Sequence, residues 1–200
     1  MTVSTAGAVF PTETVLSDGS VFRVVPVEAG VRAIRAWAEY PWPMSPAQAL
    51  ALRDRLGWTS SPTDEEMFTT DHGIGEKDAS FTIIKREQTV ASFHLSLTSH
   101  IPKPVRAEAV PTAERAFEAY VEALTAVYGR GDRSRSRGVL SVTWALPSDA
   151  LVDIGTVGRV VSVDIDSPAS NEAARGEAQY FAEIADENDP ARCPLDNPAP

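Results

Sequence analysis

His94 lies in Val90-Ala-Ser-Phe-His-Leu-Ser-Leu-Thr98, where Ala91, Phe93, Leu95 and Leu97 alternate with Ser92, His94, Ser96 and Thr98. A period of two marks a strand with one face in the core and the other in water, so His94 belongs to a wet sheet face. Val161, Val163 and Ile165 alternate in the same way with Ser162, Asp164 and Asp166, and Val139–Leu146 turns Ser141 and Thr143 outward. If these strands pair, His94, Thr143 and Asp164 converge, which are the residue types of a general base with its supporting groups. No Gly-x-Ser-x-Gly elbow, His-Glu-x-x-His or Cys-x-x-Cys accompanies them, so nucleophilic and zinc chemistry have no support in the spacing. A surface histidine is the simpler reading.

The other polar clusters are read in the same two ways. Asp71-His72-Gly-Ile-Gly-Glu76-Lys-Asp78 fits neither the acid spacing of a calcium loop nor the lysine-bearing phosphate loop, and reads as a solvated connection. Arg130, Arg133, Arg135 and Arg137 could grip a phosphate or an acidic partner through their planar forks. Without interleaved aromatics they are a poor nucleic-acid signature, and the segment reads as a loop. Trp37, Tyr40, Trp42 and Trp58 could wall an aromatic pocket, but aromatics at helix ends more often join helices to a sheet. No cofactor and no metal ligand set is expected.

Charge says more. The formal net charge is −10. Asp64, Glu65, Glu66, Asp71, Glu76 and Asp78 form one acidic stretch, and Glu172–Asp196 forms another. Such a balance repels nucleic-acid phosphates. No run reaches the roughly 18 apolar residues of a membrane helix, and the N-terminus lacks the basic start of a secretory signal. Cys193 has no second cysteine to pair with. The expectation is a cytoplasmic protein with no membrane or nucleic-acid partner.

The elements that must position these residues follow from local signals. Ser45 as N-cap, Pro46 at the first position and Gln48 at N3 predict a helix over 46–56, which Gly57 ends so that Trp58 folds back on Leu52. Val31, Ile34 and Ala38 predict another over 28–40, stopped by Pro41 and Pro43. Asp18-Gly19 suits a type I′ hairpin turn. Pro111 and Thr112 introduce a helix with Phe117, Tyr120, Val121, Leu124, Val127 and Tyr128 on one face. Strands are expected at 67–70, 79–85, 90–98, 139–146, 151–154 and 159–166. A last helix begins at Pro168 and Ser170, apolar at Ala174, Ala178, Phe181 and Ala185. The order is hairpin, helix, helix, three strands, helix, three strands, helix. This predicts a two-layer α+β fold, an antiparallel sheet with its helices on one face. One domain is expected over 14–185, between a flexible 1–13 and a disordered acidic, Pro-rich 186–200.

The aromatic-Pro-Trp break at Tyr40-Pro41-Trp42, the Ser45-Pro46 helix start and Leu56-Gly57-Trp58 resemble small uncharacterised actinobacterial proteins, some of them immunity proteins beside polymorphic toxins or type VII secretion cargo. The resemblance implies an acidic binder that occludes a toxin, with no catalytic residues. The docking surface expected for a cationic toxin comprises Asp64, Glu65, Glu66, Asp71, Glu76, Asp78, His94, Asp164 and Asp166. A secretion chaperone holding a cargo segment is the alternative reading. An enzyme using the His94 face is the third.

Overall fold

Ser45 caps the second helix as its sequence requires. Its hydroxyl accepts from the Gln48 N–H at 3.3 Å and the Gln48 side chain accepts from the Ser45 N–H at 2.8 Å, closing the capping box. At the other end Gly57 takes φ 76°. The Trp58 N–H then reaches the Arg53 carbonyl at 3.2 Å and the Gly57 N–H that of Asp54 at 3.1 Å, the paired bonds of a Schellman motif.

The computed structural model describes residues 12–136 and 138–187. In chain order the elements are β1 (Glu13–Val15), β2 (Val21–Arg23), α1 (Val27–Ala38), α2 (Pro46–Arg55), β3 (Thr59–Ser61), β4 (Asp64–Thr69), β5 (Ala79–Ile84) and β6 (Thr89–Ser96). There follow α3 (Arg106–Tyr128), β7 (Asp132–Ser136), β8 (Val139–Ala145), β9 (Leu151–Thr156), β10 (Val161–Asp166) and α4 (Pro168–Glu187). The expected mobile start and acidic end lie, for residues 1–11 and 188–200, outside the described residues, as do Arg137 and Cys193. Asp186 and Glu187, expected in the tail, belong to α4.

The protein is α+β, built on an eight-stranded sheet in the order β3-β4-β5-β6-β10-β9-β8-β7. Every neighbouring pair is antiparallel. Two four-stranded meanders therefore meet through their last strands, β6 and β10. Each meander has one strand more than expected. Thr59–Ser61 and Asp132–Ser136 are short polar edge strands, which need only one paired neighbour and no apolar alternation.

Two turn and helix expectations are corrected. The β1–β2 hairpin forms, but Asp18 is not left-handed; only Gly19 is, at φ 82°. Asp18 instead accepts the Ser20 N–H at 2.9 Å and the Ser20 hydroxyl at 2.5 Å, a local bond that holds a wider loop closed. Pro111 does not start α3 but lies inside it. The acceptor it leaves without a helical donor is the carbonyl of exposed Ala107, where solvent can serve.

Alternate residues of the central strands fill the core: Phe93 and Leu95 from β6, Val161, Val163 and Ile165 from β10, Val152 and Ile154 from β9, Val142 and Trp144 from β8. Trp37 of α1 stacks flat on Phe93, the ring centroids 3.9 Å apart and the planes 8° from parallel. Trp58 packs beside both. Trp37 and Trp58 are thus core, as the pattern of aromatics at helix ends suggests. α1 and α3 touch through Gly30, where an added Cβ would meet the Tyr120 hydroxyl at 2.2 Å. That hydroxyl donates to the Val25 carbonyl at 2.9 Å. The start of α4 is tied down: the Ser167 N–H and the Ser170 hydroxyl both donate to the Ala91 carbonyl at 2.9 Å. Of its expected apolar stripe, Ala174, Ala178 and Phe181 are exposed. No described helix is long and apolar enough to cross a membrane.

Candidate functional site

Strand register assembles the polar residues. Cross-strand pairing runs from Ser80 to His94, from His94 to Asp164, from Asp164 to Asp153, from Asp153 to Thr143 and from Thr143 to Asp132. Directly opposed residues share a face, so these side chains form one transverse row over the outer face of six strands. His94 and Asp164 meet as expected, but Thr143 does not converge on them: it lies on the same face two strands further on, with Asp153 between. His94 Nδ1 lies 2.8 Å from Asp164 Oδ1. The Thr143 hydroxyl donates to Asp153 Oδ2 at 2.5 Å.

Flanking rows complete the surface. On one side Thr82 and Ser92 share a hydrogen bond of 2.8 Å, and Asp166 stands opposite Ser92. On the other, Ser134 and Ser141 are bonded at 3.0 Å, and Gly155 leaves β9 without a side chain between Ser162 and Ser141. Partial burial raises the Asp153 carboxyl above the usual carboxylate range; the Thr143 hydrogen bond opposes the rise and neighbouring Asp164 adds to it. Asp166 is raised too, by burial first and then by Asp164 and Asp153. Asp153, Asp164 and Asp166 thus act on one another across this face, and the His94 imidazole is hydrogen-bonded to Asp164.

Chemically, an imidazole whose Nδ1 proton is held by Asp164 presents Nε2 as an acceptor, the orientation of a general base. A base also needs a substrate excluded from water. Of the cavities bordered by Trp42, Arg32, Phe117 and Val121, the last touches the row at its Asp132 end, and none includes His94, Asp164, Asp153 or Thr143. Among the described residues no group of three or more His, Cys, Asp or Glu is placed to hold a metal ion.

The remaining expected residues separate from the row. Glu65 and Met67 alternate onto the outer side of β4, because Phe68 points into the core. Asp64 caps a local turn by accepting the Glu66 N–H at 3.0 Å. Glu76 is exposed in the β4–β5 connection, and Asp71 accepts from Trp58 Nε1 at 3.2 Å. Asp78 is corrected outright. It is buried, accepting the Thr70 N–H at 2.7 Å and the Thr70 hydroxyl at 2.6 Å, so it pins the loop and meets no partner.

His72 is likewise not a solvated loop residue. Its side chain is only 10% exposed, it packs edge-on to Trp58, and its Nε2 is buried without a hydrogen-bond partner. Burial lowers its pKa, against the pull of Asp71 and Asp78. The arginine segment is a strand and not a loop. Arg133 grips Glu118 of α3 with two bonds of 2.9 and 2.8 Å and lies 5.8 Å over the Phe117 ring. Asp153 is the site residue that sequence reading missed; its position between Val152 and Ile154 carried the signal.

Residues 28–167 match the model of the Family of unknown function (DUF6301). The chain belongs to that family. The DUF6301 span begins in α1 and ends just after β10, so it takes in both meanders and the whole row while leaving out the β1–β2 hairpin and α4. No curated protein and no solved structure matches the chain.

Proposed function

We propose that this DUF6301 protein is a non-enzymatic, acidic partner-binding protein of the cytoplasm that docks a cationic protein surface on the outer face of its sheet. A bacterial toxin domain, neutralised by occlusion, is the leading partner. In this reading α1 and α3 form one layer over the inner face and leave the outer face bare. The observation that carries it is the His94–Asp164–Asp153–Thr143 row. It presents crowded carboxylates on a broad, open surface in a chain of net charge −10. Such a surface speeds encounter with a basic partner and fixes its register.

The test is co-expression with the product of the neighbouring gene, scored by growth rescue and by a stable complex. The reading expects both, and expects D153N/D164N/D166N to lose them while remaining folded. A stable protein that gives neither rescue nor complex counts against it. The His94 Nδ1–Asp164 geometry supports a second reading, an enzyme working on this face. That reading expects a turnover lost in H94A.

A further inference from the structure

A cavity of about 470 Å³ opens at one end of the sheet, away from the polar row. Four distant parts of the chain meet there: the connection between α1 and α2, the β5–β6 turn, the β8–β9 turn and the start of α4. Trp42, Pro43 and Pro168 supply apolar walls, while Glu87, Glu172 and Ser148 supply polar groups. Trp42 is half-buried and its Nε1 is fully enclosed. The pyrrole edge is therefore turned inward, and the rest of the indole borders the opening. Glu87 and Glu172 are both exposed, and the ion pairs among the described residues join other side chains.

An indole surface with two carboxylates that no ion pair among the described residues engages defines the ligand by elimination. An anion is repelled by both carboxylates. A neutral apolar group would strip water from them without replacing its hydrogen bonds. A cation satisfies them and gains from the indole, the best aromatic partner for positive charge. The start of α4 brings a partial positive charge to the rim, which Glu172 in its second turn offsets. Between the two biological cations, guanidinium is planar and weakly hydrated, stacks on rings and donates along several edges. It can lie on Trp42 and reach carboxylates on different sides, whereas an ammonium is a compact, strongly hydrated point.

We propose that the Trp42–Glu87–Glu172 cavity is a receptor for an arginine side chain presented by a protein partner. Only the source of the arginine rests on the partner-binding reading above; the pocket stands on its own geometry, at a different place from the sheet face.

The experiment titrates the full chain with Nα-acetyl-arginine N-methylamide and follows the Trp42 indole N–H resonance, assigned through W42F. The lysine analogue and the neutral isostere citrulline serve as comparisons. A saturable shift is expected, centred on Trp42 and the amides of Glu87, Thr89 and Ser148, with citrulline about tenfold weaker. E87Q/E172Q, both exposed and so free of folding demands, should weaken arginine by about tenfold. D153N/D164N should leave it unchanged, so loss of partner capture in that variant reports on the sheet face alone. Absence of a saturable shift, equal binding of citrulline, or indifference to E87Q/E172Q overturns the proposal. Lysine binding as tightly as arginine overturns the guanidinium assignment.

Discussion

His94 and Asp164, seventy positions apart in the chain, meet at 2.8 Å across the junction of β6 and β10. The carboxylate fixes the imidazole tautomer by accepting from Nδ1. In D164A that acceptor is gone, and His94 should pass from the Nδ1–H form to a mixture of both tautomers at neutral pH. Ring nitrogen chemical shifts read this directly. Unchanged shifts would show that Asp164 does not orient the ring.

Asp166 is held above the ordinary carboxylate range by burial and by Asp164 and Asp153. A carboxyl raised in the folded state costs stability wherever it is ionised, and the cost fades as pH falls through its folded value. D166N should therefore raise the melting temperature at pH 7, and the advantage should shrink toward zero at acid pH. A lower melting temperature at pH 7 would mean that Asp166 makes a favourable contact which its surroundings conceal.

His72 gives the opposite dependence. Burial depresses its pKa below the ordinary 6.5, so the unfolded chain binds more protons between the two values. The stability it contributes is complete above about 6.5 and declines as pH falls toward the folded value. Denaturant midpoints from pH 7 to pH 5 should fall more steeply for the wild type than for H72F. Parallel curves would rule out His72 as the titrating group.

Two single substitutions probe the packing. G30A drives a methyl group against the Tyr120 hydroxyl, 2.2 Å from the new Cβ, and should cost about 1–3 kcal/mol by prying α1 from α3. G30A combined with Y120F should not recover wild-type stability, since the ring carbons at 2.7 and 2.8 Å still clash.

D78A strands the Thr70 N–H and hydroxyl in a buried place. A loss of about 2–4 kcal/mol is expected in urea unfolding. A loss below about 0.5 kcal/mol would show that the β4–β5 connection relaxes freely.

What could be read from the sequence was whatever its own neighbours decide. The α2 capping box and Schellman end lie within fourteen consecutive residues, Ser45 to Trp58, and both were legible. The alternation around His94 was legible because a half-buried strand sorts its side chains locally. Ser134 and Arg135 gave no such cue, since β7 is held by pairing with β8 and not by burying its own residues. Asp78 and Glu76 look alike in sequence. Only the path of the β4–β5 connection brings Thr70, eight residues earlier, against one of them. Pro111 misled because a proline ordinarily opens a helix, whereas here the buried run Ala109, Ala113 and Ala116 carries α3 through it. The Trp42 cavity, assembled from four separate segments, left no local trace.

The junction of β6 with β10 has a kinetic corollary. Each meander can zip through nearest-neighbour hairpins, but the bond between the halves closes a loop of some seventy residues and must form late. The polar row straddles that junction. A chain with both meanders formed and the halves still apart therefore has neither the His94 contact nor a continuous outer surface. Recognition on this face would be withheld from nascent or half-assembled molecules and granted only to finished ones.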